Sequence, residues 1–178
     1  MNIILFDQHK KNLLPFTYTR PIADFRCGII TLKEKWEKRI ANATISYLTD
    51  DYLSEKFVCN YANENYYVSG NILANDHLVR AIKALEEGQY LSDESNRLIA
   101  LKTSKKLSLS EISTEGLEAV YFEDSYNKIE NVWDIFVLNA EAIEQDFDLI
   151  TKGRNSQPLD NTNTHIGDRL FIEEGAKV

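Results

Sequence analysis

Blocks of apolar residues along the chain follow two different periods, and each period predicts a different element. Asn2-Ile-Ile-Leu-Phe6 is an almost unbroken apolar run, as a strand buried on both faces requires. The polar stretch from Asp7 to Asn12 then forms the loop at its carboxyl end. Leu32, Trp36 and Ile40 recur every fourth residue and predict an amphipathic helix over 31–41. Ile45 and Tyr47 alternate within a second strand, 43–48. A short helix comes next over 51–57, capped by Asp50 or Asp51. Residues 65–69 read as a third strand. Asn75 or Asp76 caps the next helix, with Leu78, Ile82 and Leu85 on one face and Gly88 as its stop. Residues 98–101 and 119–122 read as further strands, separated by a polar, serine-rich surface excursion over 104–118. Ile135, Leu138, Ala142 and Ile143 give helical spacing to 133–147, with Asn139 as a break or a new cap. The composition of 151–164 is that of a linker.

Strand and helix alternate through the first hundred residues. This pattern predicts an α/β domain over 1–160 with a doubly wound, mostly parallel, Rossmann-like sheet. Ligands of such sheets sit beyond the carboxyl ends of the strands, which here directs attention to the segments after Phe6 and after Ser69. The last stretch has another period. Ile166, Ile172 and Val178 are six residues apart, Gly167 stands next to the first, and Ala176 supplies a small residue before the third. Six-residue spacing is that of a parallel β-helix, so 161–178 reads as the start of a left-handed coil. Such a coil buries its core only when about three repeats stack, so the coil is truncated here.

Composition narrows the function. Hydrophobic residues make up 43% and aromatic residues 11%, enough for a packed core and against disorder. The net charge of −8 argues against non-specific binding to nucleic acid or to an anionic membrane. A phosphate ligand would therefore need a locally basic pocket. Cys27 and Cys59 read as free thiols, which fits a cytoplasmic, reducing compartment. No signal peptide is expected, because the first apolar run ends at Asp7, and no run reaches the roughly 20 residues of a membrane span.

The segment from Leu13 to Leu32 is long for a connection between strand and helix, which usually takes about 2–6 residues. It is too apolar for disorder and is stiffened by Pro15 and Pro21. It carries Arg20 and Arg26, whose guanidinium groups suit bidentate grips on phosphate. The alternative is structural, with both arginines pinning the loop to Asp7 or Asp24.

The phrases Leu14-Pro-Phe-Thr-Tyr-Thr-Arg-Pro21, Asp24-Phe-Arg-Cys-Gly28, Glu34-Lys-Trp36, Tyr67-Val-Ser-Gly-Asn71 and Trp133-Asp134 resemble a bacterial sugar-nucleotidyltransferase family. Its members are similar to N-acetylglucosamine-1-phosphate uridylyltransferases and glucose-1-phosphate thymidylyltransferases, joined to a left-handed β-helix acyltransferase. The resemblance implies a nucleotide-diphospho-sugar transferase-like fold. It also implies attack of a sugar-1-phosphate on the α-phosphate of UTP or dTTP, with release of pyrophosphate. Mg²⁺ would be the cofactor, Arg20 and Arg26 the catalytic cations, and Asn71 and Asp134 the metal ligands, with Asn139 a weaker candidate. Phe6, Asp7, Lys10, Lys11 and Gly70 would hold the nucleotide. The resemblance further implies a homotrimer built through the β-helix.

The chain departs from the wider superfamily in two places. Where a glycine-rich loop holds the phosphates, Phe6–Asn12 contains no glycine, and Lys10 and Lys11 offer charge instead of amide dipoles. Asn71 stands where an aspartate holds the metal. A plainer reading makes Asn71 a turn residue and Asp134 a helix cap. His9, His77 and His165 lack metal-ligand spacing, although His9 stands within reach of a ligand. Three functions stay open: the transferase, a non-catalytic nucleotide or sugar-phosphate binding domain, and a domain that organises the trimer.

Overall fold

The computed structural model describes all residues from Met1 to Val178. Six strands form one sheet: β1 (Asn2–Phe6), β2 (Thr44–Leu48), β3 (Asn65–Ser69), β4 (Gln89–Ser92), β5 (Leu98–Thr103) and β6 (Glu118–Tyr121), in the order β2-β1-β3-β5-β4-β6. The helices are α1 (Leu32–Arg39), α2 (Asp51–Ser54), α3 (Asp76–Ala84) and α4 (Asp134–Thr151).

β1 lies between β2 and β3, parallel to both, and its five residues are all buried. Its alternation divides the core. Ile3 and Leu5 join Val68, the α1 residue Trp36 with Ile40 just after it, and the α3 residues Leu78 and Ile82 in one cluster. Ile4 and Phe6 point the other way, into a cluster with Tyr67 and Leu101. No helix covers that second cluster. Leu107, Leu109, Ile112 and Leu117 of the serine-rich excursion do so, which makes the stretch a lid on the sheet rather than a free surface loop.

The sheet is mostly parallel, as expected: β5 alone runs antiparallel to its neighbours, β3 and β4, while the other five strands share one direction. The expected double winding needs correction, because α1 and α3 pack on the same face and the excursion covers the other. The sequence reading missed β4, a four-residue strand with no clear alternation. β4 returns into β5 through the turn Asp93–Arg97, and a hairpin needs no crossover helix. Two helix boundaries also differ. α4 runs unbroken past Asn139 to Thr151, and α2 stops at Ser54. The cap is as expected at α3, where the Asn75 carboxamide accepts from the Leu78 N–H at 2.8 Å. At α2, Asp50 holds the cap position without a side-chain bond, and on α1 Thr31 and Glu34 close a capping box that the sequence reading did not name.

Residues 161–178 contain no helix or strand, so the expected β-helix coil is not formed within them. Ile172 is buried, but Ile166 is 94% exposed and Val178 69% exposed. Two of the three evenly spaced aliphatic residues thus have nothing to stack on, and a single repeat has no core of its own.

Candidate functional site

The carboxyl ends of β1, β3 and β4 and the start of β5 share one edge of the sheet. Backbone conformation there is set by a few polar side chains. After β1, Asp7 turns inward. One carboxylate oxygen accepts the Ile22 N–H at 2.8 Å, the other the Thr49 hydroxyl at 2.5 Å. Burial pushes the Asp7 pKa up, against the lowering effect of those two bonds. Asp7 therefore clamps the long loop to the end of β2 and is not part of the lining of the cleft at this edge. The Phe6 ring is buried in the sheet's second cluster. Gly70 is required by close approach, since a Cβ there would lie 3.0 Å from the Phe6 carbonyl, which already accepts the Gly70 N–H.

His9 lies in the left-handed region, with φ 57°, a conformation usually left to glycine, Asn or Asp. The glycine-free loop thus makes a turn of the kind a glycine would supply. The N–H groups of Gln8, His9, Lys10 and Lys11 donate to no acceptor of the protein. Lys10 is spent on an ion pair with Asp50, over the Tyr52 ring. Lys11 is exposed.

After β3, Asn71 is buried and fully engaged. Its side-chain oxygen accepts the Ser69 hydroxyl at 2.8 Å, and its NH₂ donates to the Ile129 carbonyl at 3.0 Å. The Ile129 N–H returns a bond to the Asn71 carbonyl at 2.8 Å, and the Leu73 N–H donates to the Asn127 carbonyl. With the antiparallel bridge between Ile72 and Lys128, these bonds strap 127–129 to the end of β3. Ile129 points into an apolar cluster, so Lys128 and Glu130 point the other way.

The β4–β5 turn is held by Asp93. Its carboxylate accepts from the N–H groups of Ser95 and Arg97, from Arg97 Nε and from the Tyr126 hydroxyl. Burial alone would raise the Asp93 carboxyl, but these donors bring it below the usual carboxylate range.

Together these segments enclose a cleft of about 400 Å³. Gln8 and His9 come from the first loop, Ser69 and Asn71 from the end of β3, and Arg97 from the hairpin turn. Ser113 and Thr114 come from the excursion, and Lys128 and Glu130 from the strap. The lining is mostly neutral hydrogen-bonding groups around one charged cluster. In it, Lys128 lies 2.8 Å from Glu130, and Arg97 lies 3.7 Å from the same carboxylate.

The expected metal ligands do not converge. Asp134 opens α4 and does not cap it: one carboxylate oxygen accepts the N–H groups of Glu130 and Asn131 in the turn before the helix, and Asp134 is not part of the cleft lining. Asn139 accepts the Gly28 N–H. No three His, Cys, Asp or Glu side chains lie close enough to hold a metal ion. Mg²⁺ is usually bound through one or two carboxylates together with substrate phosphates. The one carboxylate lining this cleft, Glu130, is paired with lysine, so these residues do not fit a Mg²⁺ cage.

Arg20 and Arg26 lie elsewhere. They line a second cleft of about 430 Å³ with Pro15, Phe16, Phe25 and Ile135, sharing no residue with the first. Neither pairs with Asp7 or Asp24. Asp7 is engaged as above, Asp24 accepts from the Tyr47 hydroxyl, and Arg26 donates to the Ile29 carbonyl. The cations expected to act together with Asn71 are thus separated from it. His77 pairs with Asp124 on the surface, and His165 is exposed on the tail.

With this geometry in view, residues 3–155 match the model of the sugar nucleotidyl transferase family. The chain belongs to that family. No curated relative matches it. In this transferase-family chain, Asn71 and the loop after β1, both singled out from the sequence, border the first cleft, while Gly70 lies outside its lining. Arg97, Lys128 and Glu130 line it without having been singled out. One signal was available for the strap: in Tyr126–Glu130, apolar Ile129 stands between two charged residues at strand spacing.

Proposed function

We propose that the first cleft is the site of a sugar-1-phosphate nucleotidyltransferase. Its substrates are UTP or dTTP and either N-acetylglucosamine-1-phosphate or glucose-1-phosphate. A phosphate oxygen of the sugar phosphate bonds to the α-phosphorus. The bond from that phosphorus to the bridging oxygen breaks, and pyrophosphate leaves. One observation carries this reading. In a chain of this family, a polar cleft lies beyond the carboxyl ends of β1 and β3, where ligands of open α/β sheets bind.

Catalysis of this kind rests on positioning and on charge neutralisation. Arg97 and Lys128 supply cations within the cleft, and the N–H groups of 8–11 supply free donors beside it. Asn71 acts through the strap, by holding Lys128 in place.

A second reading has the fold kept as a binding domain, with turnover lost. The lack of any carboxylate cluster favours it. The attached left-handed β-helix, and a homotrimer formed through it, belong to either reading. Both rest on the six-residue spacing of Ile166, Ile172 and Val178.

The test is pyrophosphate release with UTP or dTTP and each sugar phosphate. Release with one pair, lost in Lys128→Met while the melting temperature holds, is expected for the transferase. Silence with every pair from a folded protein would leave the binding domain.

A further inference from the structure

We infer that the first cleft binds a phosphate-bearing ligand without a divalent cation, with the Lys128 ammonium and the Arg97 guanidinium as its charged donors. The inference rests on the placement of substrate in this cleft.

Three observations lead to it. First, the one expected metal ligand that lines this cleft, Asn71, is committed to the fold. Asn71 uses its oxygen on Ser69 and its NH₂ on the Ile129 carbonyl. Turning that oxygen toward a cation would free a buried carbonyl and loosen the strap that carries Lys128. Second, Glu130 already has a cation: Lys128 Nζ is 2.8 Å away, and Arg97 is 3.7 Å away. A dication seeking this carboxylate would have to displace an ammonium. Third, both cations keep donors to spare. Lys128 has three N–H bonds, and Glu130 is its one close acceptor. Its ammonium lies 6.0 Å from the centre of the Tyr126 ring, with the side chain 15% exposed. Arg97 spends Nε on Asp93, which leaves its terminal nitrogens facing Glu130 and the cleft. Glu130 and Asp93 balance the two cations, so what the cleft offers a ligand is their unused N–H donors beside the neutral ones. Charge-assisted donors of that kind are what phosphate oxygens accept from.

The experiment is calorimetric titration of the whole chain with inorganic pyrophosphate and with UTP, each in EDTA and in Mg²⁺. Affinity in EDTA is expected to equal that in Mg²⁺ within about threefold. Lys128→Met should weaken it at least tenfold in EDTA, Lys128→Arg by less than threefold, and Lys83→Met, at an exposed lysine of α3 outside the cleft, by less than threefold. Thermal melts of each variant identify any that fail to fold. Binding seen only with Mg²⁺ would overturn the inference. So would Lys128→Met binding like the parent, or no binding under either condition. Silent turnover with intact binding in EDTA would sink the transferase reading and leave this one standing.

Discussion

The loop over 13–31 and the strap over 126–130 both border ligand-sized clefts, yet they are built by opposite means. The loop is long, rich in apolar residues and nailed down from inside. Leu13, Ile22, Phe25 and Cys27 are buried, and Asp146 of α4 accepts the N–H groups of Ile29 and Ile30. Lys35 meets the same carboxylate at 2.5 Å, deep under the surface. Burial draws the Lys35 pKa down even though Asp146 pulls it up. Gly28 makes this approach possible: it sits at φ 88°, and a Cβ there would come within 2.5 Å of the Asp146 carboxylate. The strap has no buried ion pair beneath it. It is held by hydrogen bonds through Asn71 and at its two ends to the Asp93 and Asp134 carboxylates, and its charged side chains face the cleft. Rigid burial characterises the region whose sequence looked functional. Two of the three charged groups of the first cleft, Lys128 and Glu130, sit on the region whose sequence did not.

The largest way to break this comparison is at Asp146. Asp146→Ala leaves a buried ammonium unpaired and two loop N–H groups without acceptors, a loss of about 3–5 kcal/mol. Urea unfolding measures it. A loss under about 1 kcal/mol would mean that the loop is not held from inside.

Asn71→Asp is next. A carboxylate cannot donate to the Ile129 carbonyl, so a buried acceptor loses its partner at a cost of about 1–3 kcal/mol. Amide exchange should quicken at Lys128 and Ile129 before the rest of the sheet. Unchanged stability combined with tighter Mg²⁺ binding would restore Asn71 as a metal position.

These differences explain what could be read in advance. β1, β3, α1 and α3 were legible because their burial keeps one period over several residues. Asn71 was legible as a position but not in its role, because its partner Ile129 is 58 residues away. Lys128 and Arg97 were hidden for the same reason. β4 is short and pairs with β5 only through a turn, so the hairpin that delivers Arg97 left no periodic trace. Arg20 and Arg26 drew attention by composition. Composition cannot tell which side of a folded loop a side chain takes.

Asp7 sharpens the comparison through pH. A carboxyl with a raised folded pKa binds its proton more tightly in the folded state. It adds stability below its unfolded value of about 3.9 and withdraws it as pH rises through the folded value. Asp7→Asn removes that buried charge. Its oxygen still accepts from Ile22, and the Thr49 hydroxyl turns to accept from the new NH₂. Stability at pH 7 should hold or rise by about 1 kcal/mol, and its fall between pH 4 and 7 should flatten. Chemical unfolding across that range reads the slope. A steeper fall in the variant would show that the charge itself clamps the loop.

The smallest expected effect is at Arg20. Its side chain is exposed and makes no ion pair, so Arg20→Ala should change stability by less than about 0.5 kcal/mol. If the first cleft alone binds the reacting phosphates, pyrophosphate release should fall by less than about threefold, because the two clefts share no residue. Lys128→Met, measured beside it, should lose far more. A hundredfold loss in Arg20→Ala at unchanged melting temperature would reverse the comparison. The buried loop would then present a catalytic cation on its outer side, and the two clefts would act on one substrate.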